Sequence, residues 1–524
     1  MAASTHAPQQ VEPAVARRGV APRPVRNVVI TWAAFVFTVA VNFFVAPYVV
    51  RTLGSTVYGT WVLLSSLVGY MGLLDLGVRS AVMRYLALHH ARAEDVEAGR
   101  SASAGLVIFG ALGLVAVVAA LVCAAVLPRF FTIPPDTVAT ARIVVVVGGL
   151  GVAVSLISGV FGGSLAALQR FDLQGLIGIV VGGLRAAAIV IGLGPGAGLL
   201  GLSLIQLAAT VCQGTAQYVL TRRLYPELKL ALRGLERAEI RRIFSFSMYS
   251  SLLHVSAALI FSADALVIGS FLPVAMITFF AIPSTLTDYT RSIVSAISQT
   301  ITPRASSLEG VGAMRELETV LLRAATMATL VTLAITVTFI ARGGSFIGLW
   351  MGAGFAELSG SILVILAISV TFDSARRVAM SALIGMNRHR QLAPFYLLEG
   401  VVNIALSVYW IRSMGLRGVA LGTTVPNLIT AFLVIPWLVR KVVGTPIRRF
   451  WLVVWIRPVL AMLPFAAVSY AVERGLHAQS LLSFFASVFL SLPVAIVGAW
   501  FVGIPAQDRS EYAQLVKSRL GVRG

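Results

Sequence analysis

The chain has 524 residues, of which 58% are hydrophobic and 12% are charged, and its mean hydropathy is +0.90. A water-soluble protein of this length carries about twice that charged fraction. The composition excludes a disordered chain and a disulfide-rich scaffold and argues against a soluble enzyme. The unit of the fold is therefore the transmembrane helix, which needs about 20 apolar residues to cross the hydrocarbon.

The net charge of +20 does not indicate nucleic-acid binding. Of the 41 basic residues 38 are Arg, and most lie in short segments between apolar runs. That pattern is typical of the cytoplasmic loops of a membrane protein, and no soluble module carries a basic face. Cys123 and Cys212 lie inside apolar runs, and the sequence has neither zinc-ligand spacing nor a phosphate-binding GxxxxGK[ST] loop. We therefore expect no metal, no cofactor and no nucleic-acid partner.

Residues 1–27 are too weakly patterned to fold, and we predict a disordered cytoplasmic tail there. Fourteen apolar segments follow, which we number as predicted spans 1–14. They cover residues 28–49, 57–78, 102–127, 141–166, 176–194, 197–221, 246–270, 275–300, 321–341, 358–385, 394–413, 417–440, 453–472 and 480–502.

The distribution of basic residues predicts the orientation of these spans. With the N-terminus inside, 29 basic residues fall in inside segments, seven in outside segments and five within spans. Because Lys and Arg are enriched in cytoplasmic loops, we expect both termini in the cytoplasm.

Residues 222–245 form the longest cytoplasmic connection, and the spacing of apolar residues there predicts an amphipathic helix on the membrane surface. It separates two similar halves. Three short matches lie at nearly one offset, namely 165–170 with 383–388, 198–201 with 415–418, and 53–54 with 268–269. We therefore predict two pseudo-symmetric six-helix lobes, 28–221 and 246–440, followed by residues 441–524 with spans 13–14 and a cytoplasmic tail.

The stretch from Pro47 to Gly59 (PYVVRTLGSTVYG), the stretch from Gly69 to Gly77 (GYMGLLDLG) and the pair Arg84-Tyr85 resemble a known family. They are similar to the polysaccharide biosynthesis proteins, the Wzx-type oligosaccharide flippases of the multidrug/oligosaccharidyl-lipid/polysaccharide exporter superfamily. The motif residues that carry this resemblance are Gly54, Tyr58, Gly59, Asp75, Gly77 and Arg84.

The resemblance implies an all-α protein of the bacterial cytoplasmic membrane that is not an enzyme. Such a protein moves an undecaprenyl-pyrophosphate-linked oligosaccharide from the inner to the outer leaflet by alternating access, through a cationic lumen, for surface polysaccharide synthesis. The partners that it implies are the lipid-linked substrate, membrane lipid, and polysaccharide polymerase and chain-length machinery.

Charged residues inside the predicted spans are the candidate site, because a charge within the hydrocarbon is costly and marks function by default. Arg suits a phosphate-bearing substrate, since its planar fork binds phosphate oxygens in pairs. The candidates for substrate binding are Arg185, Arg291, Arg376 and Arg377. The candidates for ion coupling or charge pairing are Asp264, Asp288 and Asp373.

Structural readings of the same residues stay open. Asp288 with Arg291, and Asp373 with Arg376 or Arg377, are spaced to neutralise each other on one helix face. Arg185 has no acidic residue within its own span, so it needs a partner on another helix or a substrate. Polar residues such as Asn42, Gln206 and Asn403 are candidates for a sugar path or for interhelical hydrogen bonds.

Three alternative functions remain at this stage. A cation-coupled multidrug exporter would need an acidic cavity, whereas the mid-span Arg residues outnumber the acids. A peptidoglycan-precursor flippase shares the same layout. A membrane-embedded glycosyltransferase or ligase would need a charged catalytic loop, whereas the longest outside loops, 128–140 and 342–357, hold few charges.

Overall fold

The protein is an all-helical membrane protein. The computed structural model describes residues 24–193, 198–230, 239–241, 243, 255–260, 262–476, 478–506 and 508–510, and this part of the chain contains no β-strand. Within it, eleven helical segments are long and apolar enough to cross a membrane. They are Val29–Ala91, Asp95–Phe130, Pro135–Ala167, Phe171–Gly192, Gly198–Leu224, Met314–Met351, Ala353–Gly385, Ala393–Met414, Leu416–Val443, Ile447–Gly475 and Leu481–Gly503.

The number of segments and the number of predicted spans differ for identifiable reasons. Val29–Ala91 holds 63 residues, which is about 95 Å of helix and far more than one crossing requires. It contains predicted spans 1 and 2. Predicted span 8 is the helix Ala275–Gln299, whose polarity separates it from the eleven, and predicted span 7 is only partly within the described residues. The count of fourteen stays a prediction.

The described residues pack into two compact units. Unit 1 is drawn from Met1–Val49, Leu67–Leu127 and Pro135–Ser251, and unit 2 from Val50–Ser66, Pro128–Pro134 and Leu252–Gly524. This grouping into units does not test the predicted lobe boundaries, 28–221 and 246–440, which remain a prediction. Residues 50–66 pack in unit 2, although they follow predicted span 1 directly along the chain.

Six helices run through the first part of the chain. They are α1 (Pro24–Met71), α2 (Val78–Ala91), α3 (Asp95–Phe130), α4 (Pro135–Ala167), α5 (Phe171–Gly192) and α6 (Gly198–Leu224). Helix α1 is kinked at Gly54, where φ is 77° and ψ is 167°. The core of unit 1 joins α2, α3 and α4 through buried residues such as Val82, Phe109 and Val160.

The helices that the structure describes in full from residue 264 onward belong to unit 2. They are α7 (Asp264–Phe271), α8 (Ala275–Gln299), α9 (Ile301–Gly310), α10 (Met314–Met351), α11 (Ala356–Gly385), α12 (Ala393–Met414), α13 (Leu416–Ile429), α14 (Ile435–Val443), α15 (Ile447–Phe450), α16 (Arg457–Gly475) and α17 (Leu481–Gly498). Three π-helical segments, Thr430–Val434, Trp451–Ile456 and Ala499–Gly503, interrupt or end these helices. The core joins α10, α11 and α14 through Leu321, Val378 and Ile435.

Within the predicted amphipathic helix over 222–245, residues 225–230 are not helical, whereas residues 239–241 and 243 are. Helix α6 ends at Leu224, and residues 225–230 form a turn and an irregular segment. Tyr225 and Leu228 are buried against the core of unit 1, so their apolar side chains pack on protein. The rest of this prediction lies outside the described residues, at 231–238, 242 and 244–245. The predicted tail over 1–27 is also largely outside them, because only its last four residues are described, and these begin α1.

Matched turns support the internal repeat. Gln169 and Asn387 stand 218 positions apart, and both have positive φ, 56° and 54°. In each turn the next N–H reaches back five residues, from Arg170 to the Leu165 carbonyl at 2.9 Å and from Arg388 to the Leu383 carbonyl at 2.8 Å. This is the same helix-ending hydrogen bond in both halves.

Of the other two sequence matches, one has a counterpart in the structure and one does not. Gly198 and Gly415 begin their helices with positive φ, 44° and 58°, so the second match has a structural counterpart. The third match has none, because Gly54 forms the kink of α1 whereas Gly269 lies inside α7.

Candidate functional site

Arg185 is a half-buried cation of unit 1 that has neutral partners. Its Nη2 donates to Asn42 Oδ1 and its Nη1 donates to Gln206 Oε1, each at 3.2 Å. Among the described residues Arg185 forms no ion pair, and its Nε is buried without a hydrogen-bond partner. Amide oxygens orient a guanidinium group but leave its charge in place, so this charge is available to an anion.

Small residues bring the helices around Arg185 together. Gly175, Gly182 and Gly183 of α5 face α1. A Cβ atom on Gly175 would lie 2.9 Å from the Ile30 side chain, and one on Gly183 would lie 3.4 Å from the Phe37 ring. Arg185 lies one turn beyond Gly182 and so shares its helix face, which places the guanidinium group within reach of Asn42 on α1.

Arg376 of unit 2 has the opposite surroundings. Its Nε donates to Asp373 Oδ1 at 2.6 Å, and its Nη1 donates to both Glu399 oxygens, at 2.7 and 2.8 Å. The side chains of Arg376, Asp373 and Glu399 are 1%, 2% and 1% exposed. We call these three residues together with Arg377 the buried charge network.

Neutral groups complete the buried charge network. The guanidinium carbon of Arg376 lies 4.7 Å from the centre of the Tyr396 ring. In the amide orientation that gives both its oxygen and its nitrogen a partner, Asn427 accepts from Arg376 Nη2 at 3.0 Å and donates to the Ser369 carbonyl at 3.2 Å. Arg376 is therefore enclosed and saturated, and it does not present its charge at a surface.

Arg377 and Arg291 lie at the edge of the buried charge network. Arg377 Nε donates to Asp373 Oδ2 at 2.6 Å, its Nη1 lies 3.4 Å from Ser295 Oγ, and its side chain is 27% exposed. Arg291 Nη1 donates to Asp288 Oδ1 at 2.6 Å, and the Asp288 side chain is 61% exposed. The three Arg residues of this region thus face three carboxylates, and the local charge is balanced.

Asp264 is a buried carboxylate of unit 2 that has no ion pair among the described residues. Its Oδ1 accepts from Thr423 Oγ1 at 3.2 Å. Thr423 also accepts from Asn403 Nδ2 at 3.3 Å, and Ser407 Oγ donates to Asn403 Oδ1 at 3.3 Å. Four oxygen-bearing side chains from α7, α12 and α13 therefore meet in a buried cluster.

The structure thus separates the sequence candidates by their partners. Arg185 is paired with neutral amides, Asp264 with a hydroxyl, and the remaining candidates with opposite charges. Sequence reasoning missed the contact of Glu399 with Arg376, and it missed Thr423 and Asn427. The spacing of charged residues along α11 could not indicate these three residues, because they lie on other helices.

The family-motif residues shape the backbone near the kink of α1. A Cβ atom on Gly59 would collide with the Val274 carbonyl oxygen, so only glycine allows this approach to the start of α8. Thr278 Oγ1 donates to the Ser55 carbonyl at 2.6 Å and ties the same helices together. The half-buried Tyr58 lies between these contacts in sequence.

The second motif stretch forms the turn into α2. Asp75 Oδ1 accepts from the Arg79 N–H at 3.3 Å, its Oδ2 lies 3.3 Å from Arg79 Nε, and Gly77 has a φ of 72°. Arg84 is exposed on α2. In this structure the motif positions therefore set turns and close packing.

Comparison with protein families gives one match over most of the first part of the chain. The family model described as "Polysaccharide biosynthesis protein" matches residues 25–309, which is more than half of the chain. The uncharacterized membrane protein EpsK of Bacillus subtilis is 20% identical over 78% of this chain and 82% of its own length. A candidate O-antigen transporter of Shigella flexneri is 18% identical over 75% of this chain and 92% of its own length.

Solved structures share the fold at low sequence identity. The lipid II flippase MurJ, in an inward closed conformation, has a TM-score of 0.68 at 12% identity, covering 91% of this chain and 98% of that chain. An inward-facing multidrug resistance transporter of the MATE family, in the MOP superfamily, has a TM-score of 0.65 at 16% identity, covering 80% of this chain and 98% of that chain. Both likenesses concern the fold.

Proposed function

Because the chain belongs to the polysaccharide biosynthesis protein family, we propose that it is a flippase and not an enzyme. Its substrate is an undecaprenyl-pyrophosphate-linked oligosaccharide, which it moves from the inner to the outer leaflet for surface polysaccharide synthesis. The names of the O-antigen transporter and of the lipid II flippase support transport of a lipid-linked glycan. The observation that carries the proposal is the uncompensated charge of Arg185.

The physical reason lies in the pyrophosphate. A charged headgroup cannot enter hydrocarbon unless the protein supplies opposite charge, since each buried charge costs several kcal/mol or more. Arg185 keeps its positive charge between Asn42 and Gln206 and provides it near the middle of a membrane helix. A guanidinium group can then exchange weak amide contacts for two charge-assisted bonds to phosphate oxygens, which are about twice as strong.

The cations of unit 2 take different parts in this proposal. Arg377 is the partly exposed member of the buried charge network, and Arg291 lies at its edge beside the exposed Asp288, so these two cations can approach a substrate. Arg376 is enclosed, so we assign it to positioning. It holds Asp373, and Asp373 in turn holds Arg377.

Ion coupling is a further part of the proposal and rests on Asp264. A buried carboxylate that forms no ion pair among the described residues gains from binding a proton or a hard monovalent cation, and the Thr423 hydroxyl that donates to it connects it to Asn403 and Ser407. Asp288 and Asp373 already have Arg partners, so we assign them to charge pairing.

The membrane setting follows from the same proposal. The protein spans a membrane several times. We propose that this membrane is the bacterial cytoplasmic membrane and that both termini lie in the cytoplasm. The polymerase and chain-length machinery would then receive the flipped lipid on the outer face of the membrane.

The proposal is tested by Arg185→Gln in a strain that lacks the chromosomal copy of this gene. Lipid-linked oligosaccharides are measured by mass spectrometry, and surface polysaccharide is measured in parallel. We expect accumulation of the undecaprenyl-linked precursor and at least a tenfold fall in surface polysaccharide. Arg185→Lys should restore part of the export, because it keeps the charge and loses the bidentate fork.

The matched control is Arg142→Gln, which removes an exposed Arg from α4 of the same unit. It should export normally. Normal surface polysaccharide in Arg185→Gln would contradict the proposal. Accumulation of peptidoglycan precursor would favour the precursor-flippase alternative, and sensitivity to cationic drugs with normal glycans would favour the multidrug exporter.

A further inference from the structure

A cavity of about 400 Å³ lies in unit 2, and none of the candidate site residues lines it. One wall is the first part of α10, which contributes Thr319, Leu322 and Arg323. A second wall is α15 with the π-helical segment that follows it, and a third is the segment after the last π-helix. The cavity therefore lies between two π-helical segments, which occur frequently at functional sites.

Two Arg residues line one side of the cavity, and each of them is paired with a carboxylate. Arg323 Nη2 lies 2.7 Å from Asp508 Oδ1, and Arg449 Nη1 lies 2.9 Å from Glu318 Oε1. The Arg449 side chain is 55% exposed, and this pair uses one of its five N–H donors. A phosphate group that enters the cavity can therefore reach further donors of Arg449 while the ion pair stays in place.

The other side of the cavity is apolar. Leu322, Met327, Val453 and Ile504 line it, and Ile504 is itself buried. A free inorganic anion gains nothing from such a surface, whereas a glycerol backbone and the first carbons of an acyl chain do. The lining thus offers an Arg-bearing side for a phosphate group and an apolar side for the glycerol and acyl carbons of a phospholipid.

Neighbouring residues mark the level of the membrane–water interface. Trp437 and Trp451 are 44% and 37% exposed, and Lys441 lies 5.2 Å from the centre of the Trp437 ring. Tryptophan is enriched at the level of the lipid headgroups. Residues 440–449 carry four basic residues and no acidic one, a composition that attracts anionic lipid.

We propose that this cavity binds the phosphate of an anionic phospholipid. The guanidinium group of Arg449 contacts the phosphate with Arg323 across the cavity, and the glycerol region packs on Leu322 and Val453. The site is separate from Arg185 and does not depend on which substrate the protein transports.

The test is native mass spectrometry of the full chain in detergent with equal amounts of phosphatidylglycerol and phosphatidylcholine. The unmodified protein should retain phosphatidylglycerol in preference to phosphatidylcholine. In Arg449→Gln this preference should fall about fivefold, the effect of one interfacial cation. The matched control Arg448→Gln removes the adjacent exposed cation, which does not line the cavity, and should keep the preference.

Three results would overturn the proposal. Equal losses in Arg449→Gln and Arg448→Gln would indicate a diffuse basic surface in place of a site. Displacement of phosphatidylglycerol by millimolar inorganic phosphate would indicate a free-anion site. Equal retention of the two lipids by the unmodified protein would show that the cavity does not select anionic lipid.

Discussion

Arg185 and Arg376 are the same residue type in membrane helices, and the protein treats them in opposite ways. Arg376 is enclosed by Asp373 and Glu399, and its side chain is 1% exposed. Arg185 is half-buried and has two amide oxygens for partners. Position within a span therefore does not decide the role of an arginine, whereas the charge of its partners does.

The difference has a physical consequence for each region. A buried ion pair adds little net stability, but it becomes strongly destabilising when one partner is removed, because the other charge is left buried. Removal of Arg185 would leave no such unpaired charge, because its partners are neutral amides. We therefore expect unit 2 to depend on Arg376 for folding, and we propose that unit 1 keeps Arg185 for a ligand.

The largest effect should come from breaking the buried charge network. Glu399→Leu leaves Arg376 with a single carboxylate in a closed environment, and we expect a loss of about 3–5 kcal/mol in the free energy of unfolding. Arg185→Met should lose about 1 kcal/mol or less, because only two weak neutral contacts go. Thermal and denaturant unfolding of the purified protein in detergent measures both.

The double variant Arg376→Met/Glu399→Leu controls for packing. Replacing both charges with apolar residues should recover most of the loss. If Arg185→Met destabilised the protein as much as Glu399→Leu, the contrast between the two arginines would fail, and Arg185 would be structural.

Much of this contrast could be predicted from the sequence. Runs of about 20 apolar residues fix the helices, and the absence of an acid within predicted span 5 (176–194) indicates that Arg185 has no charged partner there. The spacing of Asp373, Arg376 and Arg377 on one helix predicts their pairing. Each of these features depends on neighbours within a few turns.

The remaining features depend on contacts between distant parts of the chain. Asn42 is 143 positions from Arg185, and Thr423 is 159 positions from Asp264, so no local pattern joins them. Glu399 lies in the first turns of α12, where a carboxylate is commonly solvated, but contact with Arg376 of α11 buries it here. Residues 225–230 were expected to be helical because their apolar spacing fits a helix, but the same residues pack on the core of unit 1 without one.

A second prediction turns the Arg185 site into one that resembles the Arg376 site. Gln206→Glu is isosteric and places a carboxylate where Arg185 Nη1 now has an amide partner. The new ion pair should hold the guanidinium group and compete with the substrate phosphate, and we expect export to fall about tenfold while stability is unchanged or slightly higher. Surface polysaccharide and the unfolding midpoint together measure this.

Gln213→Glu is the matched control for charge alone. It adds the same carboxylate at an exposed position of α6, about 10 Å farther along the helix. Export close to normal in this variant, beside a loss in Gln206→Glu, would assign the effect to contact with Arg185. Equal losses would mean that the overall field of unit 1, and not one contact, governs transport.

The smallest effect should come from the ion pair between Asp288 and Arg291. Asp288→Asn removes a carboxylate whose side chain is 61% exposed, whereas the side chain of Arg291 is 12% exposed, and an ion pair that is open to solvent on one side contributes about 1 kcal/mol or less. The unfolding midpoint should therefore move little, but Arg291 would lose the carboxylate with which it now forms an ion pair. If uncompensated charge is what binds the headgroup, Asp288→Asn should retain undecaprenyl-linked precursor more strongly than the unmodified protein in native mass spectrometry. Weaker retention would instead make the carboxylate of Asp288 part of the binding surface, and the rule that separates Arg185 from Arg376 would not extend to Arg291.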